Sequence, residues 1–167
     1  MPGINLKLID KITKDNTPHI QWKITNETKE LLGYKCKKAV GEFRGRKVFA
    51  YFTPEIPSNS RPWKYYGLPG LILQAGDEEE KFVFAVTRIL LNSKMEIPDK
   101  LTSHINKMME NPISIQESVE IQNDFMKKMN ARIIAASTGS VWLPKYLRNN
   151  SKELQFEWEK EPLKNKD

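Results

Sequence analysis

Cysteine and histidine are almost missing from this chain. Cys36, His19 and His104 are the only ones in 167 residues. One cysteine excludes an internal disulfide, and three scattered nitrogen and sulfur donors make no zinc set, so neither a metal nor any other cofactor is implied. Also missing is an apolar run of the roughly 20 residues that a helix needs to cross a bilayer, and Met1-Pro2-Gly3 opens no signal peptide. The reading is of a soluble chain without a targeting segment. It has no low-complexity tract and no repeat, which excludes a solenoid or a disordered polymer.

Catalytic chemistry is equally scarce. Nucleophilic catalysis needs an activated Ser, Cys or Thr beside a base, usually histidine. His19 opens a strand and His104 lies on the polar side of a short helix, so neither is placed as a base. Ser137-Thr138-Gly139-Ser140 has the composition of a phosphate loop, but it follows a helix and has no lysine in register, so it reads as a linker. Two carboxylates converging from distant positions would not show in spacing, which leaves glycan or peptide hydrolysis open. Glu55, in a proline-bounded loop, is the best single acid for it.

What is present is a chain that is 39% hydrophobic and 29% charged with a net charge of +6, long enough for one domain, read as residues 1–158 with a loose tail at 159–167. Ile20, Trp22 and Ile24 alternate with polar residues as a strand does. Tyr34 and Cys36 begin a second strand with a bulge near Lys37-Lys38, and Arg44-Gly45 turns it back through Phe52. The acidic run Asp77 to Glu80 reads as a solvated turn before a long strand, Lys81 to Leu91. Leu101 to Glu110 reads as a short helix. Ser114 and Glu117 then have capping-box spacing for a second one reaching Ala136, with an apolar stripe from Ile115 through Val119, Phe125, Met126 and Met129 to Ile133. Met108, Met109, Met126 and Met129 read as core filling rather than a copper site. Leu154, Phe156 and Trp158 alternate as a last strand, and Cys36 reads as a buried residue on its strand.

Three features bear on function, and the aromatic group is the one hint that survives. Lys35, Lys37, Lys38, Arg44, Arg46 and Lys47 crowd a single hairpin, so a polyanion surface is one reading and a solvated strand face the other. Trp63, Tyr65 and Tyr66 follow the proline-rich loop 54–62, where rings suit sugars, lipid chains or peptide side chains, with Arg44, Arg46 or Lys64 adding charge. The hexapeptide Gly67-Leu68-Pro69-Gly70-Leu71-Ile72 comes next. Proline at 69 fixes its own φ and pushes Leu68 towards extended backbone, and Gly70 can take the positive φ of a type II turn. Its role is read as architectural.

These blocks, Gly33 to Ala39, Phe43 to Arg46, Tyr51 to Pro57 and Pro62 to Ile72, occur in an order and spacing that resemble the core of the GLPGLI family, exported proteins of Bacteroidetes-type bacteria. The resemblance covers about residues 20–92. It implies a bowl-like antiparallel sheet similar to the N-terminal domain of a secreted glycan-releasing amidase, and a periplasmic or secreted location. It implies no reaction, catalytic residue or cofactor, and the family's leading strands and export signal would be missing.

The fold expected is α+β: a curved antiparallel sheet, a bowl or half-barrel of about five to seven strands, with the helical segment 101–136 packed on one face. The function expected is a non-enzymatic extracytoplasmic or envelope-associated binding module for an apolar, peptide or glycan ligand. Arg44, Arg46, Glu55, Trp63, Tyr65 and Tyr66 would touch that ligand. No specific nucleic acid is implied, peripheral association with the cell envelope is allowed, and an unprotected sheet edge favours a homodimer. A hydrolase and a polyanion-binding surface stand as the alternatives.

Overall fold

The computed structural model describes residues 12–58, 60–91, 93, 96–137 and 151–159. They form an α+β protein with two compact units. Residues 17–91 and 151–159 make one, and 12–16 with 93–137 the other.

The larger unit is an open antiparallel sheet of five strands: β2 (Lys23–Leu31), β3 (Tyr34–Phe43), β4 (Arg46–Thr53), β5 (Leu71–Asp77) and β6 (Val83–Ala85). Each strand pairs with its neighbour in sequence. Two tight turns set the first three. Leu32 and Gly33 take φ of 53° and 80°, and Arg44 and Gly45 take 44° and 81°. Positive φ at both central residues is the type I′ geometry, whose twist matches that of paired strands. The turn read at Arg44-Gly45 is present, and it fixes every β3–β4 partner.

That register sorts side chains by face, because successive residues of a strand point opposite ways. Ala39 lies opposite Ala50 and Gly41 opposite Val48 on one face. There Phe43, Phe52 and Ile72 form the main core under Ile20 and Tyr65, with Trp22, Trp63 and Phe84 packed against it. Burying each large apolar side chain of this kind contributes about 1.5–3 kcal/mol. The filling of this face therefore comes from within the unit, from the segment before β2 and the loop before β5. On the other face, Cys36, Phe49, Tyr51 and Leu73 form a second, smaller core, with Val86 and Ile89 packed against it. Burial raises the Cys36 thiol pKa, as the sequence reading of a buried, unpaired cysteine implies.

Several expectations need correction. The strand read from Ile20 begins only at Lys23, and Ile24 is exposed. The bulge lies opposite the expected place: Ile24 pairs with Ala39 and Thr28 with Lys37, so the extra residues belong to β2. The long strand from Lys81 shrinks to three residues, with Val83, Leu90 and Leu91 exposed. No strand forms at 154–158. Instead Leu154 and Gln155 both donate backbone N–H groups to Arg44 O, and a 3₁₀ turn follows at Glu157–Glu159.

In the smaller unit, β1 (Thr13–Lys14) pairs in parallel with β7 (Ile113–Ser114). Helix α1 spans Asp99–Met109 and α2 spans Ile115–Ala136. The expected cap is present: Ser114 Oγ accepts from Glu117 N at 3.0 Å. In α2's stripe only Val119 is buried, while Phe125, Met129 and Ile133 are exposed; Met109 on α1 is exposed as well. The reading of these methionines as core filling does not hold for Met109 and Met129. No helix among the described residues is long and apolar enough to cross a membrane.

Candidate functional site

Of the six residues expected to touch a ligand, Arg44, Arg46 and Tyr65 are buried, Trp63 and Tyr66 are half-buried, and Glu55 is exposed. Tyr65 is 2% exposed, in edge-on contact with Phe43, Trp63 and Phe84. Burial, the largest effect, and the nearby Asp77 carboxylate push its hydroxyl up to about 12. Trp63 is half-buried and stacks on Phe84, so two of the three rings serve the core. Tyr66 donates its hydroxyl to Thr17 O at 2.6 Å, and its own carbonyl accepts from Trp22 Nε1 at 2.7 Å. The ring remains half-exposed, with Arg61 over it at 4.7 Å.

Both arginines are internal. Arg44 sits over Phe156 and pairs with Glu153 and, at 3.0 Å, with Glu157. Arg46 pairs with the buried Asp77 at 3.3 Å, and its Nε donates to Ser151 O at 2.9 Å. Asp77, read as part of a solvated turn, is 1% exposed and also accepts from Phe82 N at 2.7 Å. With Lys38 paired to Glu27 and Lys47 to Glu78, four of the six hairpin cations meet carboxylates. These pairs offset part of the positive field at the hairpin. Glu55 accepts from Lys35 N at 3.2 Å across the strand end.

The hexapeptide is architectural in a sharper way than expected. Gly70 has φ 141°, and a Cβ there would lie 2.1 Å from Thr53 O. The turn is tighter than type II: Gly70 N donates to Leu68 O, while Leu71 N goes to Ile56 O, both at 3.0 Å. A bond spanning two residues is a γ-turn, centred on Pro69. A cavity of about 230 Å³ lies beside it, between Arg61, Tyr66 and Leu68, below the volume of ordinary small-molecule sites.

The larger cavity, about 790 Å³, lies on the opposite face of the sheet, within the range of ligand pockets. Its floor is the β3–β4 register itself, with Val40 opposite Phe49 in the centre and Lys38 opposite Tyr51 at one side. Lys29 and Lys38 hold their ammonium groups 5.2 and 5.7 Å from the Tyr51 ring centroid. Lys29 donates to Gln74 Oε1 at 3.0 Å, and the Tyr51 hydroxyl donates to Glu27. The bond from Lys38, then that from Tyr51, lowers the Glu27 pKa, and the bond to Glu27 raises that of Lys38. Burial, followed by the bond to Glu27, raises Tyr51.

None of Lys29, Val40, Phe49, Tyr51 or Gln74 was singled out as a site residue from the sequence. The hairpin turn was signal enough to bring the β3 and β4 members together. Nothing local announces that Lys29 and Gln74 arrive from strands on either side. Among the described residues no group of histidine, cysteine and carboxylate side chains could hold a metal ion.

Fold and cavity together define an open-sheet α+β protein with a mixed-polarity cleft. One family model, described as a protein of unknown function (Porph_ging), matches residues 42–74. The stretch runs from the end of β3 through β4 and the hexapeptide into β5, less than half of the chain. No curated protein and no solved structure matches.

Proposed function

We propose that this chain is a binding module that holds a small ligand in the cleft beside its second core, on the face of the sheet that carries Val40 and Phe49. One observation carries the reading: a cleft of about 790 Å³ floored by paired strand residues. Such a floor is held by backbone hydrogen bonds and by a core on its far side, so it needs little reorganisation on binding, which favours affinity. Half-buried Val40 and the edges of Phe49 and Tyr51, which are 9% and 8% exposed, line its floor, and Lys23, Lys29 and Gln74 offer donors around it. The resemblance to exported GLPGLI proteins supports placing this module outside the cytoplasm, at or near the cell envelope.

The test is an amide-resolved titration of the isotope-labelled protein with small organic fragments, some with an apolar ring and some with charged groups. Binding in the cleft moves the Val40, Phe49, Tyr51 and Gln74 signals. Fragments at millimolar concentration that move none of these, or only those of residues 60–72, overturn the reading.

A further inference from the structure

The charges of the cleft are not mixed at random. Lys38 and Tyr51 form one rung across β3 and β4, Val40 and Phe49 form the next on the same face, and Glu42 and Lys47 the one after. Lys29 reaches the first rung, where it touches Gln74 and the Tyr51 ring, and Lys23 pairs in register with Val40 of the second. Glu78 joins the third rung through Lys47, and Glu80 lines the same cavity.

The first rung therefore carries two ammonium groups, Lys29 and Lys38, against the one carboxylate of Glu27, Lys23 stands beside the middle rung, and the last carries three carboxylates against one ammonium. Among the described residues Lys23 and Lys29 have no carboxylate within ion-pair distance, although the Lys29 charge reaches Glu27, and Glu42 and Glu80 have no cation within that distance. An apolar step, Val40 with Phe49, separates the two ends.

We propose that the ligand of this cleft is a short peptide with both ends charged, lying along the strands with its carboxylate at Lys29 and its ammonium group at Glu42 and Glu80. The inference rests on the binding-module reading and adds the ligand class to it. A simple anion would leave the glutamate end unanswered, and a neutral sugar would leave both ends so. Complementary potentials at the two ends select a ligand and fix its direction. Length follows from the strand. Four residues separate Lys38 from Glu42, about 14 Å at some 3.4 Å per residue. An extended peptide covers about 3.3–3.6 Å per residue, so roughly four residues fit, with apolar side chains in the middle.

The experiment is a calorimetric and amide-resolved titration with alanyl-leucyl-leucyl-alanine, its N-acetylated form, its C-amidated form and the doubly capped form. The free-ended peptide should move the Val40, Phe49 and Gln74 signals, and each cap should weaken binding at least about tenfold. In the Lys29→Glu variant, whose exposed side chain leaves the fold intact, the free-ended peptide should bind more weakly and lose most of its sensitivity to C-amidation. In Glu42→Gln it should lose sensitivity to N-acetylation. Doubly capped peptide binding as tightly as the free-ended one overturns the proposal. So does a cleft that answers to other fragments but not to the peptide, an outcome that leaves the binding module standing. A cleft that answers to nothing overturns both.

Discussion

Arg46 and Asp77 form an ion pair buried on both sides, with 5% and 2% of their side chains exposed and 3.3 Å between Nη1 and Oδ2. The pair ties the start of β4 to the end of β5, and Asp77 also accepts the backbone N–H of Phe82 on the way into β6.

Removing one member leaves a buried charge without its partner, which costs about 3–5 kcal/mol. Arg46→Ala and Asp77→Ala should each lower stability by that order in urea denaturation. Arg46→Met with Asp77→Leu should cost less than the two single changes together, because no charge is stranded. Costs that simply add would show that the pair is not coupled.

Arg44 should matter far more than its exposed partner. Its guanidinium is 1% exposed and anchors residues 151–159 through Glu153 and Glu157, whereas the Glu157 side chain is 44% exposed. Glu157→Gln should cost under about 1 kcal/mol, as exposed pairs do. Arg44→Ala should cost about 3 kcal/mol or more. Limited proteolysis gives an independent readout, with faster cutting within 151–159 in Arg44→Ala alone.

Gly70 and Gly67 separate conformation from collision. Both hold positive φ, but a Cβ on Gly67 meets nothing nearer than Trp22 Cδ1 at 3.8 Å, while one on Gly70 meets Thr53 O at 2.1 Å. Gly67→Ala should cost the conformational part alone, about 1–3 kcal/mol. Gly70→Ala and Gly70→Val should cost more than that, since strand β4 would have to move. Leu68→Met keeps its volume and should stay under about 1.5 kcal/mol. Thermal melting ranks the four, and equal small effects at both glycines would remove the architectural role of the hexapeptide.

Tyr65 links stability to alkaline pH. Its hydroxyl ionises near 12 in the folded chain, against an ordinary value of 10.0. Between those values the unfolded chain has lost a proton that the folded chain keeps, so stability falls as pH rises above about 10. Below that range the group contributes no pH dependence. Unfolding measured across alkaline pH should show this decline in the wild type and a shallower one in Tyr65→Phe. Equal slopes would place the dependence elsewhere.

The local elements were legible where short-range chemistry decides them. Gly45 supplies the positive φ that marks a tight turn, the serine at 114 finds the amide three residues on, and proline at 69 restricts its own neighbourhood; none of these signals needs a distant partner. The β3–β4 hairpin, and with it the floor of the cleft, followed from the turn. The apolar run at 81–91 and the alternation at 154–158 misled, because apolar side chains say that a face can be buried and not that a strand is available to pair with it. Val83 found no cover, while Phe156 was buried by stacking beneath Arg44.

What only the tertiary structure decided is the difference between a residue that looks reactive and one that is exposed. Arg44, Arg46 and Tyr65 have the chemistry of a binding site, yet burial against Glu153, Asp77 and Phe43 commits them to the fold. Lys29 and Gln74 are unremarkable in the sequence and meet at 3.0 Å across the sheet, 45 residues apart along the chain. Turn geometry is written in neighbouring residues and so can be read there. The face a side chain occupies, and the charge that answers it, depend on which strands pair, and that is settled by the core formed from all of them at once.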